Sequence, residues 1–373
     1  MKILYVYEHM TTYGGVERIF IDKMNYLANN YHEEVFFLTY NQGRHPMPFR
    51  LSEMVRHTDL GVMTFRSYYH HGLRRLWDKH KCSVLLKKKL LAFLQEKKPD
   101  IIITTTIGPI KHLLRVKGKT QLIVESHSGF DHILDSSVDS FFAPLRYVYQ
   151  KKRIKKADCV VALTEGDANL WRRFHHHVVV IPNSIHLNET GRISSLDKKK
   201  VIYAGRNDTQ KAIPDIVKIW EMVNKRHPDW SLEMYGKGKY DVFLKDVVEK
   251  KNINIKCYPP IADIYSRMND SSIFILASYY EPFGLVIGEA MSCGLPVVAF
   301  NCPFGPADII SNGKDGYLVE NRDIKAFVDK VCQLIENKEL RQRMGRAAVE
   351  SIQRYKADVI MPKWKELFES MVK

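Results

Sequence analysis

The sequence has few of the features that mark secreted or membrane-spanning proteins. It contains six cysteines in 373 residues, without a CxxC pair or a cysteine–histidine spacing typical of metal sites. No apolar run reaches the roughly 18 residues that span a bilayer. The start, MKILYVYEHM, lacks a small-residue cleavage site. These absences argue against a disulfide scaffold and a signal peptide, and they predict a cytoplasmic protein with reduced thiols.

Two nucleotide- and metal-binding signatures are also missing. The fingerprint GxGxxG does not occur after the first strand, which argues against NAD binding. No DxD-type pair of acids stands at a predicted strand end. We therefore expect neither a metal ion nor another cofactor.

The composition is that of a globular chain with an excess of positive charge. Hydrophobic residues make up 45% and charged residues 27%, and Lys plus Arg outnumber Asp plus Glu by 57 to 42, a net charge of +15. A basic surface favours anionic partners, which include nucleic acids, acidic lipids and phosphorylated metabolites. Charge alone does not choose among them.

Short apolar strands alternate with amphipathic helices along the whole chain, which predicts parallel sheets. The alternation pauses at the polar segment 186–199 and then restarts. The fold class predicted is α/β, with two Rossmann-like doubly wound domains that face each other across a cleft. The predicted boundaries are an N-terminal Rossmann-like domain at 1–185, a linker at 186–199, a C-terminal Rossmann-like domain at 200–355 and a C-terminal helix at 356–373.

Three segments could bind an anionic ligand at the strand ends. Gly14 and Gly15 separate the first strand from the first helix, where backbone N–H groups favour an anion; a tight turn that needs positive φ explains them equally well. Arg206 and Lys211 follow the strand that opens the second domain and suit a diphosphate.

The third segment is SYYEPFGLVIGEAMSCG at 278–294, where a strand, a loop and a helix follow one another. Glu281 lies in the loop, Glu289 lies one turn inside the helix, and the helix start near Gly284 offers N–H donors. Carboxylates in such a place suit neutral hydroxyl groups. A surface charge or a helix cap is the alternative for either glutamate.

Together these motifs resemble those of the family-four retaining glycosyltransferases, which have the GT-B fold of two Rossmann domains. EPFGLVIGE resembles their E-x7-E motif, YAGRNDTQK their R-x4-K phosphate site and YGGVERIF their first glycine loop. IPNSI, YGKGKY and GKDGYLVE resemble further family loops, in the same order along the chain. NCPFGPADII resembles a subset from bacterial surface-polysaccharide clusters, which favours capsule or lipopolysaccharide synthesis.

The resemblance implies that the domain at 1–185 binds the acceptor, that the domain at 200–355 binds the nucleotide sugar, and that the helix at 356–373 crosses back to the first domain. It also implies a role for each matching residue. The catalytic residues would be His127, Arg206, Lys211 and Glu281. Contacts to the donor would come from Gly14, Gly15, Gly205, Arg206, Lys211, Tyr258, Pro259, Ile261, Glu281, Phe283, Gly284, Leu285, Val286 and Glu289. The reaction implied is transfer of a sugar from a nucleoside diphosphate sugar, UDP-linked, to a glycan or lipid-linked acceptor, with retention and without a metal ion.

A basic amphipathic stretch at 73–94 suggests a membrane partner. Leucines and Trp77 alternate there with the cations Arg74, Arg75, Lys87, Lys88 and Lys89. Such a helix could hold the enzyme peripherally on the anionic inner face of the plasma membrane. A solvated face of a helix that packs on the sheet explains the same pattern.

Two other functions fit part of the sequence. A non-hydrolysing UDP-sugar epimerase of the same fold would share the phosphate site. A basic nucleic-acid-binding protein would explain the charge, but aromatic residues are not interleaved with the Lys/Arg runs and no recognition module is visible. We therefore expect nucleotide sugars and glycan acceptors as partners, and no nucleic acid.

Overall fold

The computed structural model describes residues 1–130 and 143–372, which divide into two compact units. The first unit consists of Met1–Pro182 and Ile360–Lys373, and the second unit is Asn183–Val359. Each unit is built around one parallel sheet.

The first unit carries a seven-stranded sheet in the order β3-β2-β1-β4-β5-β6-β7, in which every pair is parallel. Its strands are β1 Lys2–Tyr7, β2 Glu34–Thr39, β3 Arg56–Asp59, β4 Ile101–Thr105, β5 Gln121–Ser126, β6 Cys159–Ala162 and β7 Val178–Val180. Its helices are α1 Gly15–Asn30, α2 Gly72–Lys97, α3 Ile110–Val116, α4 Ala143–Ile154 and α5 Glu165–Arg172, with a 3-10 helix at Thr64–Tyr69.

The second unit repeats this plan with six parallel strands in the order β10-β9-β8-β11-β12-β13. Its strands are β8 Lys200–Ala204, β9 Ser231–Tyr235, β10 Ile255–Tyr258, β11 Ile273–Leu276, β12 Val297–Phe300 and β13 Gly316–Val319. Its helices are α6 Ile213–Arg226, α7 Asp241–Lys250, α8 Ile264–Asn269, α9 Leu285–Ser292, α10 Gly305–Ile309, α11 Ile324–Glu336 and α12 Lys338–Ile352, followed by a 3-10 turn at Gln353–Tyr355. The last helix, α13 Ala357–Val372, begins in this unit and continues into the first.

The strands β4, β11 and β12 are buried at every residue, as expected where helices cover both faces of a sheet. IFIL in β11 and VVAF in β12 contain no polar residue, the pattern expected of a parallel sheet enclosed on both sides. In both units the strand order reverses beside the first strand, between β1 and β4 and between β8 and β11. Ligands of doubly wound sheets bind at the carboxyl ends of the strands at such a point.

The segment at 186–199, predicted as a linker, packs on the second unit. Leu196 is buried, and Ser194 donates from its backbone N–H to the Cys293 carbonyl at 2.8 Å and from its hydroxyl to the Ser271 carbonyl at 2.5 Å. The chain therefore passes from the first unit to the second at Pro182 and Asn183, before this segment. Polar composition suggested a linker because these contacts are made largely by backbone groups and small hydroxyls.

Candidate functional site

The loop after β8 lies directly against the loop after β9. The backbone N–H of Gly205 donates to the Tyr235 carbonyl at 3.0 Å. A Cβ atom on Gly236 would lie 1.9 Å from the Gly205 oxygen, and one on Gly238 would lie 2.4 Å from the Asn207 oxygen. Because neither position has room for a side chain, the two glycines of YGKGKY bring the backbones of neighbouring strand ends together.

Lys211 and Glu281 form a buried ion pair at the carboxyl ends of β8 and β11, which are adjacent in the sheet. They are only 8% and 7% exposed. The Lys211 ammonium donates to Oε2 of Glu281, and the Ser278 hydroxyl donates to the same oxygen at 3.2 Å. Two motifs that lie 70 residues apart thus meet in one contact.

The Lys211–Glu281 pair places a lysine ammonium at the carboxyl ends of β8 and β11, where an anionic ligand could bind it. A buried lysine without a counter-charge is strongly destabilising, and Glu281 supplies that counter-charge. An incoming diphosphate would offer the ammonium a second anionic partner without creating an isolated buried charge.

Arg206 differs from Lys211 because its side chain is exposed. Its guanidinium donates to the Gln210 side chain at 2.9 Å and lies 3.3 Å from a carboxylate oxygen of Asp208. Gln210 in turn donates to the Tyr280 carbonyl at 3.1 Å. The structure therefore ties the Arg206 loop to the residues before Glu281 but places Arg206 outside the buried ion pair.

Residues 303–305 fix the backbone of Glu281. The Glu281 N–H donates to the Pro303 carbonyl at 2.6 Å, and the Glu281 carbonyl accepts from the N–H groups of Phe304 and Gly305 at 3.0 and 2.8 Å. A Cβ atom on Gly305 would lie 1.8 Å from the Phe283 oxygen. The loop at 281–284 is thus held on one side by a backbone contact that only glycine permits.

Gly284 ends this loop with a left-handed backbone, φ +98°, and α9 begins at the next residue. No described side chain caps the helix start. Leu285, Val286 and Glu289 are half-buried on the first turns of α9.

Phe283 is a core residue, in contrast to the others in its motif. Its ring is buried and packs edge-to-face on Tyr355, with 5.4 Å between the ring centroids. The predicted contact of Phe283 with the donor is therefore restricted to its backbone.

The region predicted to bind the nucleobase carries an exposed aromatic platform. Tyr258, the last residue of β10, stacks on Tyr235 with 4.9 Å between centroids and 16° between planes. Pro259 is exposed and Ile261 is half-buried beside it. An exposed ring backed by a second ring offers a flat apolar face on which a base can stack.

The loop at Gly14 and Gly15 in the first unit is not the tight turn with positive φ that the sequence left open as an alternative. Gly14 has φ −94°, and neither Gly14 nor Gly15 has positive φ. Instead, a Cβ atom on Gly14 would lie 2.2 Å from a carboxylate oxygen of Glu17, whose other oxygen accepts from the Thr12 hydroxyl at 2.8 Å. Glu17 is the acid that stands in the first turn of α1.

His127 directly follows β5 and is buried. Its Nε2 forms a hydrogen bond of 2.7 Å with Oε2 of Glu125, and the centroid of its ring lies 5.4 Å from that of Phe20. The same Glu125 oxygen accepts from the ammonium of Lys23 on α1. Sequence reasoning identified His127 but missed both of its charged neighbours.

Arg322 is a second residue that sequence reasoning missed. Its guanidinium donates to the carbonyls of Ala277 and Ser278 at 2.7 and 2.6 Å, where β11 leads into the Glu281 loop. It lies 4.5 and 4.2 Å from the ring centroids of Tyr279 and Phe300. Arg322 thus anchors the strand end on which Glu281 depends, and only its position shortly after β13 could have indicated this.

The described residues contain neither a candidate metal-binding cluster nor a helix suited to span a membrane. Within residues 1–130 and 143–372, no three His, Cys, Asp or Glu side chains are arranged to hold a metal ion. Among the helices of these residues, none combines the length and apolar character needed to cross a bilayer.

Two family descriptions match consecutive parts of the chain. The sequence model of Glycosyltransferase Family 4 matches residues 13–189, and that of Glycosyl transferases group 1 matches residues 190–351. The second match contains Arg206, Lys211, Glu281 and Glu289.

Two relatives of similar length are named glycosyltransferases, and a solved structure of similar length has the same fold. An uncharacterized glycosyltransferase of Haemophilus influenzae is 26% identical over 373 residues, which cover 98% of this chain and 99% of that protein. The amylovoran biosynthesis glycosyltransferase AmsD of Erwinia amylovora is 24% identical over 379 residues, with 98% and 99% covered. A mutant of S. aureus TarM, in complex with Fondaparinux, alpha-GlcNAc-glycerol and UDP, has a TM-score of 0.78 at 17% identity, with 98% of this chain and 99% of that chain covered.

Proposed function

Because the chain is a glycosyltransferase of the GT-B fold, we propose that it transfers a sugar from a nucleoside diphosphate sugar to an acceptor used in cell-surface polysaccharide synthesis. The donor we propose is UDP-linked, the acceptor is a glycan or a lipid-linked sugar, and the anomeric configuration is retained. The buried Lys211–Glu281 pair at the ends of β8 and β11 is the observation that carries this proposal.

The chemistry follows from what the pair can do for a departing diphosphate. The difficult step is breaking the bond between the anomeric carbon and the diphosphate oxygen, which leaves negative charge on the phosphate. A preorganised cation in a poorly hydrated place stabilises that charge strongly. Lys211 supplies this cation, and the N–H groups at the start of α9 supply hydrogen-bond donors. Arg206 adds an exposed guanidinium. We propose that these groups make a metal ion unnecessary.

Glu281 acts in this scheme as a positioning group. It holds Lys211 through Oε2, and its carboxylate can accept hydrogen bonds from hydroxyl groups of the donor sugar. Glu289 would do the same for the ribose. The leaving phosphate itself takes the proton of the acceptor hydroxyl, so neither glutamate forms a covalent bond to the sugar.

The similar proteins support two parts of this proposal, the UDP-linked donor and the role in polysaccharide synthesis. The TarM complex contains UDP, and AmsD is named for amylovoran biosynthesis. The stacked pair Tyr258–Tyr235 offers this chain a surface for the uracil ring.

A ligand screen in the presence of EDTA tests the proposal directly. We expect UDP and one UDP-sugar to raise the melting temperature, while GDP- and ADP-sugars have little effect. Stabilisation that requires added metal would contradict metal independence, and the lack of a response to every nucleoside diphosphate sugar would contradict the function. Incubation with UDP-N-acetylglucosamine alone should give no isomer, whereas an epimerase would form one.

The surface of α2 supports an additional proposal, that the first unit docks on an anionic bilayer. Leu73, Leu76 and Trp77 are 84%, 63% and 59% exposed, and they lie on successive turns of one side of the helix. Arg74 and Lys81 are exposed next to them. An apolar row flanked by cations fits the headgroup region of an acidic membrane.

Not all five predicted cations belong to this surface. Arg74, Lys87 and Lys88 are exposed, as the prediction requires. Lys89 donates to the Leu60 carbonyl and Arg75 is half-buried, so both face the unit. The sequence run could not distinguish the two sides because lysines at three consecutive positions of a helix point in different directions.

Vesicle sedimentation tests the membrane proposal. We expect binding to vesicles that contain phosphatidylglycerol and much less to pure phosphatidylcholine. The change Trp77→Ser should weaken binding roughly tenfold, because inserting one large apolar side chain is worth about 1.5–3 kcal/mol. Val242→Ser, at an exposed apolar position of α7, is the matched control and should bind like the unmodified protein. Equal binding to both vesicle types would contradict the proposal.

A further inference from the structure

A network of three charged or titratable side chains is buried at the carboxyl end of β5. Lys23 is 2% exposed, Glu125 is fully buried and His127 is 8% exposed. Charged side chains are rarely this deep in a protein unless they are paired. The network joins α1 to the residue that directly follows β5, which is the position of the predicted active-site histidine.

Both neighbours of Glu125 bind the same oxygen atom. The Lys23 ammonium donates to Oε2 and Nε2 of His127 forms a hydrogen bond with the same oxygen, whereas Oε1 is buried and has no partner among the described residues. The charge of Glu125 is therefore balanced at one point only. A change in the charge of Lys23 therefore alters the hydrogen bond between Glu125 and His127, because both contacts share Oε2.

The surroundings of the network are apolar, and the attraction between Lys23 and Glu125 offsets the cost of burying their charges. The Lys23 ammonium lies 4.1 Å from the centroid of Trp364 and 5.1 Å from that of Phe20, and aromatic faces attract cations. Burial by itself raises the pKa of Glu125, but Lys23 and His127 together lower it below its usual range. Burial lowers the pKa of Lys23, and Glu125 offsets part of this effect.

The other titratable groups near the network do not compete for these bonds. The Tyr5 ring faces Lys23 from β1 at 6.0 Å, and burial followed by the Glu125 charge raises the pKa of its hydroxyl, so it stays neutral. Asp167 on α5 is committed elsewhere, because it accepts from the Phe130 N–H at 2.6 Å and from the Trp171 indole at 3.2 Å. These are the groups that the described residues place around the network.

We propose that Lys23 and Glu125 are positioning residues that keep Nδ1 of His127 unprotonated, as a hydrogen-bond acceptor for a substrate hydroxyl. This inference rests on the proposed function. An ionised carboxylate can only accept, so the proton between Glu125 and His127 belongs to Nε2. In a neutral imidazole, the proton on Nε2 leaves a lone pair on Nδ1. Lys23 completes the arrangement because its charge balances that of Glu125 without requiring a positive histidine.

Removal of the Lys23 charge should reverse the state of Nδ1. In Lys23→Met, the buried carboxylate loses its cation, and the Glu125–His127 pair takes up one proton. If that proton makes the ring an imidazolium, both nitrogens carry hydrogen. If it stays on Glu125, it lies on Oε2 and is donated to Nε2, because Oε1 is buried without a partner among the described residues. The neutral ring must then carry its own proton on Nδ1. Both arrangements turn Nδ1 from an acceptor into a donor.

The ¹⁵N NMR shifts of histidine report this change directly. We expect ¹⁵N-histidine-labelled protein at pH 7.5 to show an unprotonated Nδ1 for His127, assigned by the signal that His127→Gln removes. Lys23→Met should show a protonated Nδ1. The double variant Lys23→Met/Glu125→Gln, which removes both charges and keeps the side-chain shapes, should restore the unprotonated Nδ1 because the amide oxygen can still accept from Nε2.

The turnover number should depend on which ring nitrogen of His127 carries the proton. With the donor identified by the ligand screen, Lys23→Met should lower kcat about tenfold, the equivalent of one lost hydrogen bond, and the double variant should recover most of it. Lys2→Met, at an exposed lysine of β1, is the matched control.

The two readouts separate this inference from the proposed function. A protonated Nδ1 in the unmodified protein, or an unprotonated one in Lys23→Met, would overturn the inference whether or not a donor is found. Failure of every nucleoside diphosphate sugar to bind would overturn the proposed function while the NMR result stands. Loss of turnover in Lys23→Met without recovery in the double variant would overturn the link between the tautomer and catalysis.

Discussion

Lys211 is the residue on which the proposed chemistry depends most, because among the described residues it is the one buried cation that follows β8 at its carboxyl end. Lys211→Met should lower kcat about 100-fold or more at saturating donor, since it removes charge stabilisation of the leaving diphosphate. Steady-state kinetics with the identified donor measures this. Lys245→Met, at an exposed lysine of α7 that pairs with Glu249, should leave kcat unchanged.

A second variant separates catalysis from stability. Lys211→Met also leaves Glu281 buried without its cation, which costs about 3–5 kcal/mol. Lys211→Met/Glu281→Gln should regain most of the melting temperature but none of the turnover. Recovery of turnover in the double variant would show that Lys211 serves only the fold.

Sequence identified Lys211 and Glu281 because both stand where a strand ends, and the resemblance joined them. It could not identify Lys23 or Arg322. Lys23 lies on the apolar side of α1 between Ile21 and Met24, and its partner is 102 residues away. Arg322 acts through backbone carbonyls, which leave no trace in the sequence.

The element that shapes the site is the loop at 281–284, and its tightest contact is with Gly305. In Gly305→Ala the new Cβ would lie 1.8 Å from the Phe283 oxygen, so the loop must move. We expect a loss of about 1–3 kcal/mol in stability, typical of overpacking, and at least a tenfold loss of donor affinity. Urea unfolding and calorimetric titration with UDP measure the two effects.

Gly191→Ala is the matched comparison for that loop. Gly191 has φ +65° but open space around its Cβ position, so alanine costs about 1 kcal/mol through backbone strain alone. Donor affinity should stay unchanged. Equal affinities in both variants would mean that the Gly305 contact does not shape the donor site.

Elements with a strong apolar pattern were predicted well, and polar ones were not. Strands such as β8 and β11 are buried runs that the sequence shows directly. The strand β3, RHTD, was missed because it is a polar edge strand whose side chains are mostly exposed. Its assignment depends on pairing with β2, which no local pattern reveals.

For the whole molecule, acid stability should depend on His112. Burial, followed by the charges of Lys111, Arg115 and Arg153, lowers the pKa of His112 to about 4. The unfolded chain takes up this proton below about pH 6.5 while the folded chain does not, so stability falls as the pH drops from about 6.5 towards 4. Because His112 is only half-buried, we expect its contribution to be about 1–2 kcal/mol.

Urea unfolding at pH 7 and pH 5 tests this dependence. His112→Gln should lose less stability between the two pH values than the unmodified protein does. His45→Gln, at an exposed histidine of the same unit, should retain the full loss. Identical pH dependence in all three proteins would contradict the assignment.

The alternation of strands and helices was sufficient to predict two doubly wound sheets, because the same rhythm occurs twice. It was not sufficient to place residues 186–199, since composition does not show which surface a polar segment packs on. The return of the last helix to the first unit was suggested by the family resemblance and not by any residue within that helix.

The first unit is assembled from two pieces of chain that are separated by the entire second unit. During synthesis at about 5–20 residues per second, roughly 17–70 s therefore pass between the synthesis of Lys23 and that of Trp364, the ring that covers the Lys23 ammonium. Until then the nascent amino-terminal region holds an incompletely shielded charge, and its final folding depends on completion of the second unit.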